Sequence, residues 1–226
     1  MRKAQLGIMA LAAGFAIAPS AMAAIDLQIT EIWTGLSGED GTADWIEVTN
    51  FGDTVADTGN YWFDDSGPST ASGGNLDSFL LGQGESAIFL LDTAPADNVN
   101  YATAADEFVA IWGSVANLGQ TNGGGNLGQG GDSANLLLGD ETVVDTLPYA
   151  SSGDFPTFEK VGGPVQLSVV GVNGAYESAQ FFNDNIGPGP DFLVTMIGSP
   201  GVVPEPASIL LLCSGAVCIM MRRRQS

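Results

Sequence analysis

Two short stretches, LQITEI at residues 27–32 and DWIEVTN at residues 44–50, alternate apolar and polar side chains. Because every second side chain of a strand points to the same face, each stretch predicts a β-strand with one buried face. Comparable short apolar or alternating runs follow at residues 61–63, 87–91, 108–112, 136–138, 143–144 and 165–170. Clusters of Gly, Asp, Asn and Pro separate these runs and predict turns. The pattern predicts about eight or nine short strands in a two-sheet sandwich, with no amphipathic helix between the chain ends.

The N-terminus has the three parts of a secretory signal peptide. Two basic residues precede an apolar stretch at residues 8–18, and Ala21 and Ala23 frame an A-x-A cleavage site. The positive charge stays on the cytoplasmic side, the apolar segment engages the translocon, and the small side chains fit signal peptidase. We therefore expect a signal helix within residues 1–23 and cleavage after Ala23. A retained membrane anchor is the alternative, but the apolar segment is too short and meets Pro19.

The C-terminus combines a proline-containing motif, an apolar segment and a cluster of arginines. In order, these are Val203, Pro204, Glu205 and Pro206, then residues 209–221, then Arg222, Arg223 and Arg224. Arginines on the cytoplasmic side stop transfer and orient the segment across the inner membrane. The segment falls just short of a comfortable membrane span, which indicates a transient anchor. A single-pass tail anchor behind a proline linker is the alternative.

In this order, the three parts resemble the PEP-CTERM sorting signal that exosortases recognise in Gram-negative bacteria. The resemblance covers residues 203–226. It implies a short transmembrane helix, processing at or near residues 204–206, and delivery to the cell surface or the extracellular matrix. The implied partners are the secretion translocon, signal peptidase, exosortase and, transiently, the inner membrane.

Residues 24–202, which we expect to form the mature domain, are strongly acidic. Five of the chain's six basic residues lie in the terminal segments, so that Lys160 alone remains, and of the 26 acidic residues only Glu205 lies outside the domain. With 25 acids against one lysine, the domain carries a net charge of about −24. Such a field repels nucleic acids and anionic membranes. Both cysteines, Cys213 and Cys218, lie in the tail, so the domain has no disulfide.

A second resemblance runs along the mature domain. The segments that match a lamin-tail domain, in family order, are residues 27–32, 44–50, 52–57, 61–63, 84–91, 131–138, 143–145 with Tyr149, and 199–201. The resemblance implies an immunoglobulin-like β-sandwich that serves as a non-catalytic interaction or matrix module. The sequence departs from the family pattern in the glycine-rich residues 113–130 and in an insertion at residues 173–193.

The chain contains no histidine, which removes the usual general base of hydrolases and the commonest transition-metal ligand. Ser133 follows Gly and Asp as in some esterases, but without a histidine the sequence favours a turn and a strand. The GxGxxG pattern at residues 123–128 continues into glycines and a strand, not a helix, and therefore favours a loop over a phosphate site. We expect no catalytic residue and no cofactor.

Oxygen ligands in loops suit calcium, and the candidates are Asp40, Asp44, Asp64, Asp65, Asn183, Asp184 and Asn185. None has the spacing of a known calcium loop, so calcium stays open without an assigned site. Carboxylate pairs that could in principle hydrolyse glycosides lie at residues 39–40, 64–65 and 106–107, but a solvated acidic surface is the simpler interpretation. Trp45 and Trp62 are expected in the core, whereas Trp33 and Trp112 are less constrained.

These observations favour an exported, exosortase-sorted and non-enzymatic component of the bacterial surface or exopolysaccharide matrix. The alternative is a calcium-assisted carbohydrate-binding module with surface polysaccharide as partner, which a tryptophan exposed beside an acidic loop would favour. An acid-pair hydrolase is a third possibility and would require two carboxylates facing each other across a cleft.

Overall fold

The computed structural model describes residues 24–35, 41–97, 100–151, 155–182 and 193–202. The predicted signal peptide and sorting tail lie outside these residues, as do the calcium candidates Asp40 and residues 183–185. The described part is mostly β, which confirms the predicted all-β class at this level.

The strands are short and follow one another along nearly the whole described chain. In order they are β1 Leu27–Trp33, β2 Trp45–Asn50, β3 Ala56–Asp57, β4 Tyr61–Asp64, β5 Gly74–Leu76, β6 Leu80–Leu81, β7 Ser86–Leu90, β8 Leu118–Asn122, β9 Gly131–Leu138, β10 Val143–Ala150, β11 Phe158–Glu159, β12 Gln166–Leu167, β13 Tyr176–Glu177, β14 Phe181–Phe182, β15 Leu193–Val194 and β16 Ile197–Gly198. A 3-10 turn, Thr58–Asn60, precedes β4, and one α-helix, α1 Ala104–Trp112, follows β7.

Helix α1 occupies the run at residues 108–112 that the sequence assigned to a strand, so that prediction was wrong. The Thr103 side chain caps the helix by accepting a hydrogen bond from the Asp106 backbone N–H at 3.1 Å. Phe108, Ile111 and Trp112 are spaced for one helix face and are buried. A five-residue apolar run is too short to distinguish the two periods, whereas the Thr103 cap was a signal that could have identified the helix.

Ten strands form a single sheet in the order β10-β9-β4-β5-β8-β7-β2-β1-β11-β12. The sheet curls until β1 lies beside β10, where the Ile29 backbone N–H donates to Asp145 Oδ2 at 2.8 Å. Lys160 closes the same seam with an ion pair to Asp145 at 2.6 Å. The sequence predicted a two-sheet sandwich; in the structure β8 pairs with both β5 and β7 and so joins the ten strands into one curled sheet around the main core, which includes Phe63 and Phe89.

The strands β1, β2 and β7 are buried on both faces. All six residues of β2 are buried. Ile46 and Val48 face the main core, while Trp45 points to the opposite face and joins a second core with α1. The alternation predicted one face in the core and one face in solvent. In the structure the second face is also buried, because α1 and the strands β13 to β16 cover it and form the second core.

Gly74 lies where β5 approaches the chain after β8 too closely for any side chain. A Cβ atom there would overlap the backbone carbonyl of Gly123. We expect Gly74→Ala to destabilise the domain by ~2 kcal/mol, because backbone cannot be displaced cheaply. Thermal unfolding followed by circular dichroism checks this, with Gly130→Ala as control since no atom lies near its Cβ position. Equal melting temperatures for the two variants would contradict the expectation.

Candidate functional site

Three buried glutamates form a row across adjacent strands of the second core. Glu31 on β1 is the register partner of Glu47 on β2 and of Glu159 on β11. Register partners point to the same face of a sheet, so the three carboxyl groups are neighbours. Each is at most 2% exposed. The strands thus place a row of acids where the C-terminal segment covers the sheet.

The outer two carboxyl groups of the row are only partly satisfied. Glu159 Oε1 accepts from Gln166 Nε2 at 2.8 Å and from Asn173 Nδ2 at 3.0 Å. Within the described residues, Glu159 Oε2 and Glu47 Oε1 have no hydrogen-bond partner. Lys160, the one basic residue in the described part of the chain, does not join the row because it is bound to Asp145.

Burial changes the ionisation of these carboxyl groups. It raises the pKa of Glu31 to about 7, against the opposing hydrogen bonds from Thr157 and Ser199. It raises the pKa of Glu47 well above its ordinary value, and the neighbouring charge of Glu31 adds to the effect. A buried acid without a cation lowers its energy by taking up a proton. The row is shielded from solvent and thus differs from the open cleft that an acid-pair hydrolase needs.

The row holds the last described segment of the chain, residues 197–202, which we call the exit strap. Ser199 donates to Glu31 twice, from its backbone N–H at 2.8 Å and from its hydroxyl at 2.9 Å. The strap is also paired with the domain at Thr157, whose backbone N–H donates to the Ile197 carbonyl at 2.8 Å. Pro200 is still buried, and the chain emerges at Gly201 and Val202. The lamin-tail resemblance includes residues 199–201, but it did not predict their attachment to a buried acid.

A second group of acids lies under the glycine-rich loop at residues 123–131. Asp44 Oδ2 accepts from the Leu127 backbone N–H at 2.8 Å, and burial raises the pKa of Asp44 to about 7. Gly125 has a φ of +78°, and a Cβ there would lie 2.6 Å from Asp65 Oδ2. The predicted loop is therefore confirmed, and its glycines allow the backbone to fold onto carboxylates. This surrounding suits no phosphate.

Tyr149 points its hydroxyl toward the same acids. The side chain is 7% exposed, and the hydroxyl has no hydrogen-bond partner within the described residues. Burial, followed by the charges of Asp132 and Asp44, raises the pKa of Tyr149. Across the described residues, no three His, Cys, Asp or Glu side chains are arranged to hold a metal ion.

Asp64 and Glu107, from the carboxylate pairs at residues 64–65 and 106–107, each accept hydrogen bonds from the backbone of their own surroundings. Asp64 Oδ1 accepts from the Ser66 backbone N–H at 2.9 Å and closes a turn. Glu107 lies inside α1 and accepts from the backbone N–H groups of Ala96 and Asp97 at 2.9 and 2.7 Å. Glu107 also lines a cavity of about 360 Å³ between α1 and β14, together with Tyr101 and Phe181. The structure thus brings neither pair together across a cleft.

The four tryptophans divide differently from the expectation. Trp33, Trp45 and Trp112 are at most 5% exposed and belong to the second core. Trp62 is partly exposed, so its predicted core position was only partly right. Its ring covers Gly139, where a Cβ would lie 3.1 Å from the indole. Gly139 opens the acidic turn that joins β9 to β10.

No helix among the described residues has the length and apolarity needed to cross a membrane.

Comparison with known families assigns the segment that follows the strap. The model of the PEP-CTERM protein-sorting motif matches residues 202–224. This match supports the interpretation of the tail as a PEP-CTERM sorting signal, which implies export, exosortase as processing partner and a cell-surface or extracellular destination in Gram-negative bacteria. No family match supports the lamin-tail resemblance. No curated protein and no solved structure matches the chain significantly.

Proposed function

We propose that the chain is a non-enzymatic component of the bacterial surface or exopolysaccharide matrix, whose acidic domain is of the lamin-tail-like, immunoglobulin type and carries no cofactor. The supporting observation is the position of the sorting motif: it begins at Val202, an exposed residue at the end of the predicted mature domain. A domain delivered by such a tail needs no membrane anchor of its own after processing. Its charge of about −24 keeps it soluble in the matrix.

The intact mass of the protein recovered from its host tests this route. We expect a mature chain that begins at Ala24 and ends near residues 204–206. A chain that keeps the arginine cluster would contradict exosortase processing. Incubation of the purified domain with ester, glycoside and phosphodiester substrates tests the non-enzymatic part, and reproducible turnover of any of them would contradict it.

Asp53 lies beside the N-terminus that cleavage at the expected signal site would create. The Ala24 backbone nitrogen lies 2.7 Å from Asp53 Oδ1. Cleavage after Ala23 would convert this amide into an ammonium group and the hydrogen bond into an ion pair. We expect Asp53→Asn to lower the stability of the mature protein by ~0.5 kcal/mol, as for an exposed pair, and to affect a precursor that keeps Ala23 less. Urea unfolding of both forms checks this, and equal losses would contradict it.

A calcium-assisted carbohydrate-binding module is the second candidate, and Trp62 favours it. A partly exposed indole beside an acidic turn offers an apolar face for a sugar ring together with carboxylate acceptors. The candidate predicts that polysaccharide columns retain the domain in calcium but not in chelator. Trp62→Ala should abolish retention, whereas Val55→Ala, at another exposed apolar residue, should not. Equal retention of both variants would contradict this assignment.

A further inference from the structure

Five exposed apolar side chains lie in two chain segments that meet where Gly174 approaches Val202. They are Leu167 at 39%, Val169 at 56%, Val170 at 51%, Val172 at 43% and Val202 at 39% exposure, and we call them the exit patch. The turn from Val169 to Ala175 is closed by backbone hydrogen bonds, such as that from Val172 to the Val169 carbonyl at 2.9 Å. Gly174 of this turn contacts Val202, because a Cβ there would lie 2.5 Å from Val202 Cγ1.

The two chain segments that carry the exit patch contain no acid. Residues 160–176 and 192–202 have neither Asp nor Glu, although the mature region holds 25 acidic residues. Glu159 lies beneath the patch but is 1% exposed, whereas the exposed Glu177 follows the first segment and the exposed Glu85 lines a cavity together with Gly201. Elsewhere exposed valines have acids beside them: Val143 and Val144 lie between Glu141 and Asp145. The exit patch is therefore less acidic than the rest of the domain surface, although exposed acids lie at its edge.

Residues 203–208, which we call the tether, connect the exit strap to the apolar tail segment and are few. The exit strap is fixed to Glu31 through Ser199, and its last residue is still held by a hydrogen bond from the Val202 backbone N–H to the Ser199 carbonyl at 2.8 Å. Seven residues lead from Val202 to Ile209, the start of the apolar tail segment. Fully extended, seven residues span about 25 Å. A domain of this length is about 40 Å across, so it cannot turn its opposite side to the surface from which the tail emerges.

We propose that the exit patch rests on the lipid surface of the inner membrane while the uncleaved tail anchors the protein there. This inference rests on the proposed sorting route. The contacts are weak individually, but a short tether gives an effective concentration on the order of millimolar, so weak contacts suffice. The lipid surface thereby holds the domain with its acidic sides turned away from the bilayer and with the sorting motif at the interface.

Fluorescence of the full-length precursor in vesicles tests the proposal. The domain has no cysteine, so Cys213→Ser and Cys218→Ser allow single labelling at Val170→Cys or, as a matched control, at Val143→Cys. Both carry an environment-sensitive dye in phosphatidylcholine–phosphatidylglycerol vesicles that contain a lipid-bound quencher. We expect the dye at residue 170 to shift to the blue and lose most of its emission, and the dye at residue 143 to respond little. Val169→Asp with Val172→Asp should restore the emission at residue 170, whereas Val144→Asp should not.

The other outcomes separate the inference from the route. A precursor that does not float with the vesicles would contradict the proposed sorting route and, with it, the inference. A precursor that floats while both dyes stay bright would overturn the inference alone. Quenching only after exosortase is added would assign the patch to that enzyme, and a concentration-dependent blue shift without vesicles would assign it to a second copy of the chain. Either result would overturn the lipid contact.

Discussion

The mature domain should melt at a higher temperature at pH 5 than at pH 8, by roughly 10 °C for a domain of this size. Burial raises the pKa of Glu31 and of Asp44 to about 7 from ordinary values of 4.5 and 3.8. The folded state therefore binds these protons more tightly than the unfolded state. The stabilisation is fully present below the unfolded pKa values and is lost as the pH rises through about 7. A tenfold difference in proton affinity corresponds to about 1.4 kcal/mol, so the two carboxyl groups together contribute several kcal/mol.

Calorimetry at constant ionic strength measures this effect. Asp44→Asn keeps an oxygen that can accept from the Leu127 N–H, but its side chain cannot ionise. The variant should therefore show a weaker dependence of melting temperature on pH. Glu177→Gln removes the same formal charge from an exposed site and serves as the matched control. A melting temperature that falls from pH 8 to pH 5, or equal slopes for the two variants, would contradict burial as the cause.

Trp45→Ala should cost about 3–5 kcal/mol, the usual loss for a large buried aromatic side chain. Trp45 is fully buried and contacts two aromatic rings of α1 edge to face, Phe108 at 5.9 Å and Trp112 at 6.1 Å between ring centroids. Its removal leaves a cavity between the sheet and the helix. Chemical denaturation monitored by near-ultraviolet circular dichroism measures the loss.

Trp45→Phe separates packing from polar effects. The indole N–H of Trp45 has no hydrogen-bond partner within the described residues, so its loss should cost nothing and the phenylalanine should recover much of the stability. Trp62→Ala is the control at a partly exposed tryptophan and should cost less than Trp45→Ala. A Trp45→Ala protein as stable as the Trp62→Ala protein would contradict the assignment of Trp45 to a central position of the second core.

Strand positions were the part of the fold that sequence predicted best. The stretches at residues 27–32 and 44–50 became β1 and β2 nearly as expected, and the run at residues 87–91 became β7. Side-chain alternation is a local property, so it survives in any tertiary arrangement. The pairing of these strands into one curled sheet depends on contacts between distant residues, such as that of Ile29 with Asp145.

The buried acids could not be predicted in the same way. In sequence, Glu31 and Glu47 occupy the polar positions of alternating strands, which ordinarily face water. They are buried because the exit strap and the segment around Thr157 cover that face, and neither is close to Glu31 or Glu47 in sequence. Similarly, Asp44 was a calcium candidate because it is an acid in a predicted loop. In the structure its carboxylate instead accepts a hydrogen bond from the backbone of the glycine-rich loop.

The sorting signal and the strand content of this protein can be identified from the sequence alone. A sorting signal is recognised as a linear peptide, so its motif, apolar segment and arginines can be identified without a fold, and the match at residues 202–224 supports them. The three-dimensional arrangement is needed to know which acids are shielded from water, where the chain emerges beside exposed valines, and how short the tether to the tail is. The burial of a side chain depends on which distant segment packs against its face of the strand. The alternation of residues along that strand carries no information about the segment.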